Sequence, residues 1–502
     1  MKLRKLLCIA LAVLMLVGTF TGCGTPTENP NPNESQTNGN QTPSGEANSE
    51  VVTANPVEDA LERLTDINWG DDEFAILYVN DIAGYSEEVE AEANAADQSS
   101  SAVINDAVYE RNITLEDLCK LTFVPVPSTV GAISGQVAAE TQTNIGDYDL
   151  ISAPASSTAN MATSGYLYNY LALDIDYEQP WWDPGTLDFS LDGNVFFMNG
   201  PHNIVDDDVT FVMMFNKTIQ SETKVADPYT TVRNGDWTLD YFNQIIQNIS
   251  ADNGDGQWDE KDQYGFSTPS SIGNTFFYGA GLQYVVNSRD MDFPELALSN
   301  QMEKATQVLE LAQTIVHSNN SSYVAPQGSE PLSRDVFVEG RSLFYCEAAS
   351  YLRALNQTME GDYGVVPIPK YSKKQEHYNT WTHSIGSTLS IPTSIVDEIE
   401  NNDFEGVLET YVVLSAKLVK PAYYDTMLTV RNVRDPDSSE MLDLIFQHRI
   451  YDMAIYYDVL GFSNLFSDCV INNSDAFASK YTSNSKRFNR QIENILKNIN
   501  KS

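Results

Sequence analysis

The spacing of apolar residues changes along this chain, and each spacing predicts an element. Phe74-Ala-Ile-Leu-Tyr-Val79 is an unbroken apolar run closed by Asn80-Asp81, which predicts a first buried strand. Ala102 to Leu118 reads as helix and leads into a second strand at Leu121-Thr-Phe-Val124. Tyr148-Asp-Leu-Ile-Ser152 predicts a third strand, followed by a loop of small residues from Ala153 to Thr158. Trp237 to Ile249 is an amphipathic helix: Thr238 can cap it, and Phe242, Ile245, Ile246 and Ile249 form one stripe. Met302 to Val316 repeats that pattern through Ala305, Val308, Leu309, Ala312 and Ile315. Further on, Arg334 to Glu339 is predicted helical up to Gly340, Leu343 to Cys346 is a buried strand, and Ser350 to Leu355 is helical. Glu405 to Leu418 and Met441 to Tyr457 complete the helices. Strands alternating with helices predict α/β units around a mainly parallel sheet, whose ligands sit beyond the carboxyl ends of the strands.

The N-terminus departs from this pattern. Lys2, Arg4 and Lys5 precede an uncharged run from Leu6 to Phe20, and Gly22-Cys23 is followed at once by polar sequence. The run is shorter than the ~20 residues of a membrane span, and its layout is that of a cleaved signal peptide over residues 1–22. The cysteine just after the cleavage point resembles the lipobox of bacterial lipoproteins, although Phe20 stands where that motif has Leu. The resemblance implies that Cys23 carries a lipid and holds the chain on the outer face of the cell membrane. Residues 23–57 are Asn, Pro, Thr, Ser, Gly and Glu with no Lys or Arg, a composition that predicts a disordered tether.

The body that follows exceeds 400 residues, whereas a single core stops growing at about 250–300 residues, so two lobes are expected. The 29 Lys and Arg face 70 Asp and Glu, and the first 22 residues hold three of the bases and none of the acids, leaving a mature charge of −44 (26 against 70). Such a field repels phosphate backbones, which excludes nucleic acid as a partner. Five cysteines occur. Beyond Cys8 and Cys23, the widely spaced Cys119, Cys346 and Cys469 show no metal or redox spacing and read as buried free thiols.

An ordered set of short motifs then narrows the class. Asp106-Ala-Val-Tyr-Glu-Arg-Asn112, Gln179-Pro-Trp-Trp-Asp183, Phe215-Asn-Lys217 and Trp237-Thr-Leu239 come first. Asp262-Gln-Tyr-Gly-Phe266, Phe337-Val-Glu-Gly-Arg-Ser-Leu-Phe344 and Gly364-Val-Val-Pro-Ile-Pro-Lys370 follow, with Gln375-Glu376 behind them. Together, from about Phe74 to Ile471, they resemble the family 1 extracellular solute-binding proteins, the capture lipoproteins of bacterial ABC importers, mostly for sugars. The resemblance implies an α/β fold of two lobes, maltose-binding-protein-like, with a hinge and an interlobe cleft. It places residues 58–176 and 378–416 in the first lobe and 177–377 and 417–502 in the second. It also implies ABC permease subunits as membrane partners, with ATPase subunits inside the cell.

Sugar capture needs flat aromatic faces for the apolar side of a ring and polar groups for its hydroxyls. Asp81 lies at one strand end, and Ser156 and Ser157 follow another. Trp181 and Trp182 stand beside Pro180 near the expected crossover, and Tyr278, Glu347, Tyr351 and Trp381 lie in segments that resemble cleft-facing ones. These nine are the candidate ligand residues. Several have structural roles open to them as well: paired Trp beside Pro suits core packing, Asp81 suits a helix cap, and Glu347 can bind backbone.

The stretch Ala251 to Asp262 resembles a calcium loop, which wants oxygens at positions 1, 3, 5, 9 and 12 and Gly at 6. Counted from Ala251, Asn253, Asp255, Gly256, Asp259 and Asp262 fall in place, but Ala251 itself offers no side-chain oxygen. The candidate Ca²⁺ ligands are therefore Asn253, Asp255, Asp259 and Asp262; the alternative is an Asn/Asp/Gly turn. No catalytic residues are assigned. The chain has five histidines and no HExxH, GxSxG or phosphate-loop motif. The expectation is a non-enzymatic binding protein that delivers a mono- or oligosaccharide to an importer. The rivals are a secreted carbohydrate hydrolase and a sensing or adhesive surface lipoprotein without a transporter.

Overall fold

A computed structural model of the chain describes residues 55–92, 100–288, 291, 293–428 and 436–499. The residues read as signal peptide, Cys23 anchor and tether as far as 54 lie outside these residues; 55–57, expected in the tether, instead open the helix Pro56–Arg63, with Asn55 capping it.

Two sheets organise the body. The first has four strands in the order Ser387–Ser390, Leu150–Pro154, Glu73–Val79 and Thr122–Ser128. Its inner pairs are parallel, and Ser387–Ser390 joins antiparallel on the outside. The second has five strands in the order Tyr363–Val366, Phe211–Asn216, Ser342–Ala348, Tyr264–Pro269 and Ser322–Ala325. Here Tyr264–Pro269 pairs in parallel with both neighbours. Side chains alternate between faces, as strand geometry requires. In Glu73–Val79, Phe74, Ile76 and Tyr78 join one apolar cluster while Leu77 and Val79 join another. In Phe211–Asn216, Met213 and Phe215 face one cluster and Val212 and Met214 a third. Helices cover both faces. This is the two-lobed maltose-binding-protein-like α/β fold.

The amphipathic helices form where their stripes predict. Met302–His317 buries Ala305, Val308, Leu309, Ala312 and Ile315. Leu239–Ile246 starts at Thr238, whose hydroxyl accepts from the Tyr241 N–H at 3.3 Å. Among the described residues, no helix is long and apolar enough to cross a membrane. Cys119, Cys346 and Cys469 are buried free thiols.

Two predicted elements differ. The small-residue loop after the third strand is the first turns of a helix, Ala155–Thr163, which has no side-chain cap for a sequence reading to find. The helix expected over Met441–Tyr457 breaks into Pro436–Gln447, an extended pair Arg449–Ile450, and a short helix Met453–Tyr456. The break has a distant cause: Arg449–Ile450 pairs in parallel with Thr380–Trp381, about seventy positions away in sequence. The Asp452 carboxylate then caps the short helix by accepting from the Ala454 N–H at 2.8 Å.

The chain passes from the first sheet to the second through residues 164–210, ending in the short helix Ile204–Asp208. Asp206 and Asp208 of its acidic run are buried, Asp207 is half-buried, and the run is tied to both sides. Glu88 Oε1 accepts from the Val205 N–H at 2.6 Å and from the Ser387 hydroxyl at 2.5 Å. Asp206 and Asp207 meet Arg449 at 3.0 and 2.6 Å, and Asp183 meets the same guanidinium at 2.6 Å. Asp208 pairs with Arg353 and accepts from the Tyr423 hydroxyl at 2.8 Å.

Candidate functional site

Both sheets end their parallel strands toward one hollow of about 340 Å³. Ser156 and Asn160 enter it from the helix after Leu150–Pro154 of the first sheet. Asn274 enters from the helix Ile272–Gly279 after Tyr264–Pro269 of the second. Trp381, His383 and Ser384 line it where the chain returns to the first sheet, and residues 455–458 with Ser463 and Asn464 close the remaining wall. The position follows the rule that ligands bind beyond the carboxyl ends of strands. A wider surface hollow of 770 Å³ lies on the second lobe around Asp227, Asp236 and Tyr241, but it has no wall from the first sheet.

The lining is aromatic and polar, with Asp458 its only acidic residue and no Lys or Arg. Trp381 is 3 % exposed. It stacks on Phe211 at 4.9 Å and on Tyr278 at 5.6 Å, and its indole N–H donates to the Thr275 hydroxyl at 3.2 Å. That stack fixes the ring. His383 is held neutral because burial disfavours the charged imidazolium. Its Nδ1 accepts from the Ile385 N–H at 3.2 Å, so the neutral ring carries its hydrogen on Nε2. Asp452 sits behind the wall and accepts from the backbone N–H of Tyr284 at 2.6 Å, from that of Val285 at 3.3 Å, and from the Tyr278 hydroxyl at 3.2 Å. Burial pushes its carboxyl up to about 6 against those donors.

Of the nine residues singled out by sequence, the structure brings Ser156 and Trp381 to the hollow. Tyr278 stands behind Trp381 and points its hydroxyl at Asp452. Ser157 is buried in the helix beside Ser156. Asp81 is exposed and accepts from the Val130 N–H at 2.9 Å, at the start of the helix Val130–Thr143. Glu347 and Tyr351 follow the carboxyl end of Ser342–Ala348, which runs parallel to Tyr264–Pro269, but they do not line the hollow; Glu347 accepts from the Ala348 N–H at 3.0 Å and burial raises its carboxyl to about 7. Trp181 and Trp182 are 2 % and 3 % exposed and belong to the first-sheet core. They also wall a separate hollow of 320 Å³ beside Asp183 and Arg449.

Sequence reasoning did not reach Asn160, Asn274, Ser384 or residues 455–458. Tyr456 and Tyr457 were hidden inside an apparent continuous helix. The available signal for its break was Asp452, a capping residue inside the stripe just ahead of Met453.

The acidic loop uses its oxygens on itself. Asp262, fully buried, accepts from the Asn253 N–H at 2.8 Å on one oxygen and from the Asp259 N–H at 2.7 Å on the other. Asp252 Oδ1 accepts from Gly254 and Gly256, Asn253 from Asp255, Asp255 from Gln257, and Asp259 from Lys261. Among the described residues, no three of His, Cys, Asp or Glu are placed to hold a metal ion. In this arrangement Asn253, Asp255, Asp259 and Asp262 form an Asn/Asp/Gly turn closed on Asp262.

Comparisons with known proteins agree with the architecture. No protein-family model matches the chain, and no curated protein matches it by sequence. Solved structures do. A cyclo/maltodextrin-binding protein complexed with maltotetraose has a TM-score of 0.55 at 11 % identity, covering 84 % of this chain and 97 % of that one. An ABC substrate-binding protein from Listeria monocytogenes in complex with cycloalternan gives 0.52 at 13 %, covering 84 % and 99 %. A family 1 extracellular solute-binding protein from Bifidobacterium longum subsp. infantis gives 0.52 at 13 %, covering 82 % and 98 %. The chain thus has the fold of the family 1 extracellular solute-binding proteins over nearly its whole described length. These neighbours are binding proteins rather than enzymes.

Proposed function

We propose that the protein captures a small sugar or polyol in the hollow between its sheets. The observation that carries this reading is the make-up of that hollow. It sits at the carboxyl ends of both sheets and is lined by Trp381, Tyr456 and Tyr457 together with neutral hydrogen-bonding side chains. Aromatic surface with a few placed polar groups is what sugar capture requires. The neighbours support the ligand class: those of the same fold are complexed with maltotetraose, cycloalternan, α-D-tagatose and ribitol. Glycoside hydrolysis by the two-carboxylate route needs a pair of acids flanking the bond. Among the described residues the hollow offers Asp458 alone.

In this reading Cys23 is lipidated, the body stands outside the cytoplasmic membrane on its tether, and the loaded protein delivers its solute to an ABC permease. A Cys23→Ser variant is then released into the medium, and retention of that variant on cells removes the anchor.

The ligand reading is tested by thermal denaturation of the mature body with maltotetraose, cycloalternan, tagatose and ribitol at millimolar concentration. A bound sugar at 100 times its Kd stabilises by about 2.7 kcal/mol, which raises the melting temperature by several degrees. No shift with any of the four removes the sugar assignment.

A further inference from the structure

We propose that the helix Phe488–Ile499 is a strap that ties the two sides of the hollow together, and that solute enters and leaves when it lifts. The inference rests on the capture function proposed above and adds how its site is gated.

The helix before it, Phe477–Ser485, is seated on the second sheet's side, where it packs against Leu465–Ile471 and Met302–His317. Exposed Lys486 and Arg487 make the joint. Phe488–Ile499 then reaches across to Ala155–Thr163, the helix that follows the third strand of the first sheet and brings Ser156 and Asn160 to the hollow. Phe488, Ile492, Ile495 and Ile499 are buried at the spacing of one helix face. They share one apolar cluster with Ala155, Met161 and Ala162 of the first side and with Phe462 and Leu465 of the second. Arg490, Glu493 and Lys497 on the opposite face are exposed. A helix of 12 residues is marginal in water by itself, so this one depends on its seat and leaves or regains it as a unit.

The same helix holds a wall of the hollow. Tyr456, Tyr457 and Asp458 line that wall. The turn that carries them onward is strained: Asp458 and Leu460 both take the left-handed conformation, at φ 44° and 58°. That region is disfavoured for leucine and persists only where the surroundings impose it. Here the last two helices impose it. The Leu460 N–H donates to Gln491 Oε1 at 3.0 Å, and the Leu460 carbonyl accepts from Asn484 Nδ2 at 3.4 Å. When Phe488–Ile499 lifts, Ala155–Thr163 loses its apolar cover and the Leu460 N–H loses its acceptor. One movement frees the hollow on both sides, which is how a gate acts.

The test begins with hydrogen exchange of the unliganded mature protein. Amides of 488–499 should exchange at least tenfold faster than those of Met302–His317; equal protection overturns the gate and leaves the capture function standing. Stopped-flow kinetics then use whichever of the four sugars shifts wild type most. The strap is seated in the empty and the loaded protein alike, so a thinner seat should speed both directions. Ile492→Ala should raise association and release rates at least fivefold each, with Kd within twofold of wild type; Ile495→Ala, at a half-open edge of the same seat, does the same should Ile492→Ala not fold. Rates within twofold of wild type overturn the gate. So does faster release with a matching loss of affinity, which marks a structural support. Gln491→Ala keeps the apolar seat but unties Leu460, and it should weaken binding at least threefold; an unchanged Kd cuts the link between strap and wall. Absence of wild-type binding to all four sugars defeats the capture function itself, and the gate with it.

Discussion

At the crossover, Asp206 and Asp208 are buried and Asp207 is half-buried, and each of the three is met by a guanidinium or a hydroxyl. In the cleft, by contrast, the Asn274 oxygen and the Tyr457 hydroxyl are buried with nothing opposite them. Both regions join the same two sheets. The contrast is one of charge against neutral polarity rather than of place, because the indole nitrogens of Trp181 and Trp182 at the crossover are buried without a partner as well. A buried charge whose partner is present stays put, because removing one member leaves the other stranded in low dielectric. A buried neutral group without a partner costs less and can be satisfied later.

The largest test of this contrast is Arg449. It is 11 % exposed at the side chain and serves Asp183, Asp206 and Asp207. Arg449→Ala should cost about 3–5 kcal/mol, since it strands carboxylates rather than only deleting a contact; chemical denaturation measures it. A loss below 1 kcal/mol would place the crossover with ordinary surface ion pairs. A replacement of all four groups by apolar ones of similar volume should recover much of the loss.

Next is the proton inventory. The Tyr451 hydroxyl lies 2.8 Å from Oδ2 of both Asp183 and Asp206. It carries one hydrogen, so the second contact calls for a proton on a carboxyl. Burial pushes Asp206 up to about 7, with Arg449 pulling the other way and the neighbouring Asp183 and Asp207 adding to the rise. Glu88 is pushed further, to about 8, again by burial, with the Ser387 and Val205 donors opposing. For an acid raised in the folded state, the folded form holds its proton where the unfolded form has lost it. Stability therefore falls as pH rises from the unfolded value, near 4.5 for Glu88, and levels off above about 8. Glu88→Gln should remove that share of the fall, a few kcal/mol in all. The difference in unfolding free energy between variant and wild type should grow from pH 5 to pH 8 and then flatten. A difference independent of pH would mean that Glu88 titrates normally.

The smallest effect belongs to the acidic loop, which resembles the crossover in having its oxygens occupied, though by backbone N–H groups. Calcium at millimolar concentration, compared with a chelator, should move the melting temperature by less than about 1 °C. A rise of several degrees would show that Asp262 exchanges its two backbone donors for an ion.

How far the sequence could be read differs by element. The apolar run at Phe74–Val79 and the stripes of Met302–His317 and Leu239–Ile246 depend on neighbours within a few residues, and they form where predicted. Met441–Tyr457 carries the same kind of stripe but is cut by a two-residue pairing with Thr380–Trp381, which no local pattern encodes. Trp381 was a candidate because its segment resembles a cleft-facing one. Its fixed orientation was not legible, because Phe211 and Tyr278 come from elsewhere in the chain. Trp181 and Trp182 were open in sequence to sugar contact or to core packing, and they pack into the first-sheet core.

By itself the sequence determined the two-lobed α/β class, the main strands and helices, and the acidic, thiol-poor character of the body, because these depend on periodicity and composition. Only the tertiary structure decided which side chains share the cleft. Its walls are drawn from around positions 156, 274, 381 and 457, and their meeting is fixed by sheet pairing and by long-range contacts such as those of Asp452 and Arg449. Whether a polar group is left without a partner is a property of everything packed around it, and no stretch of sequence contains that.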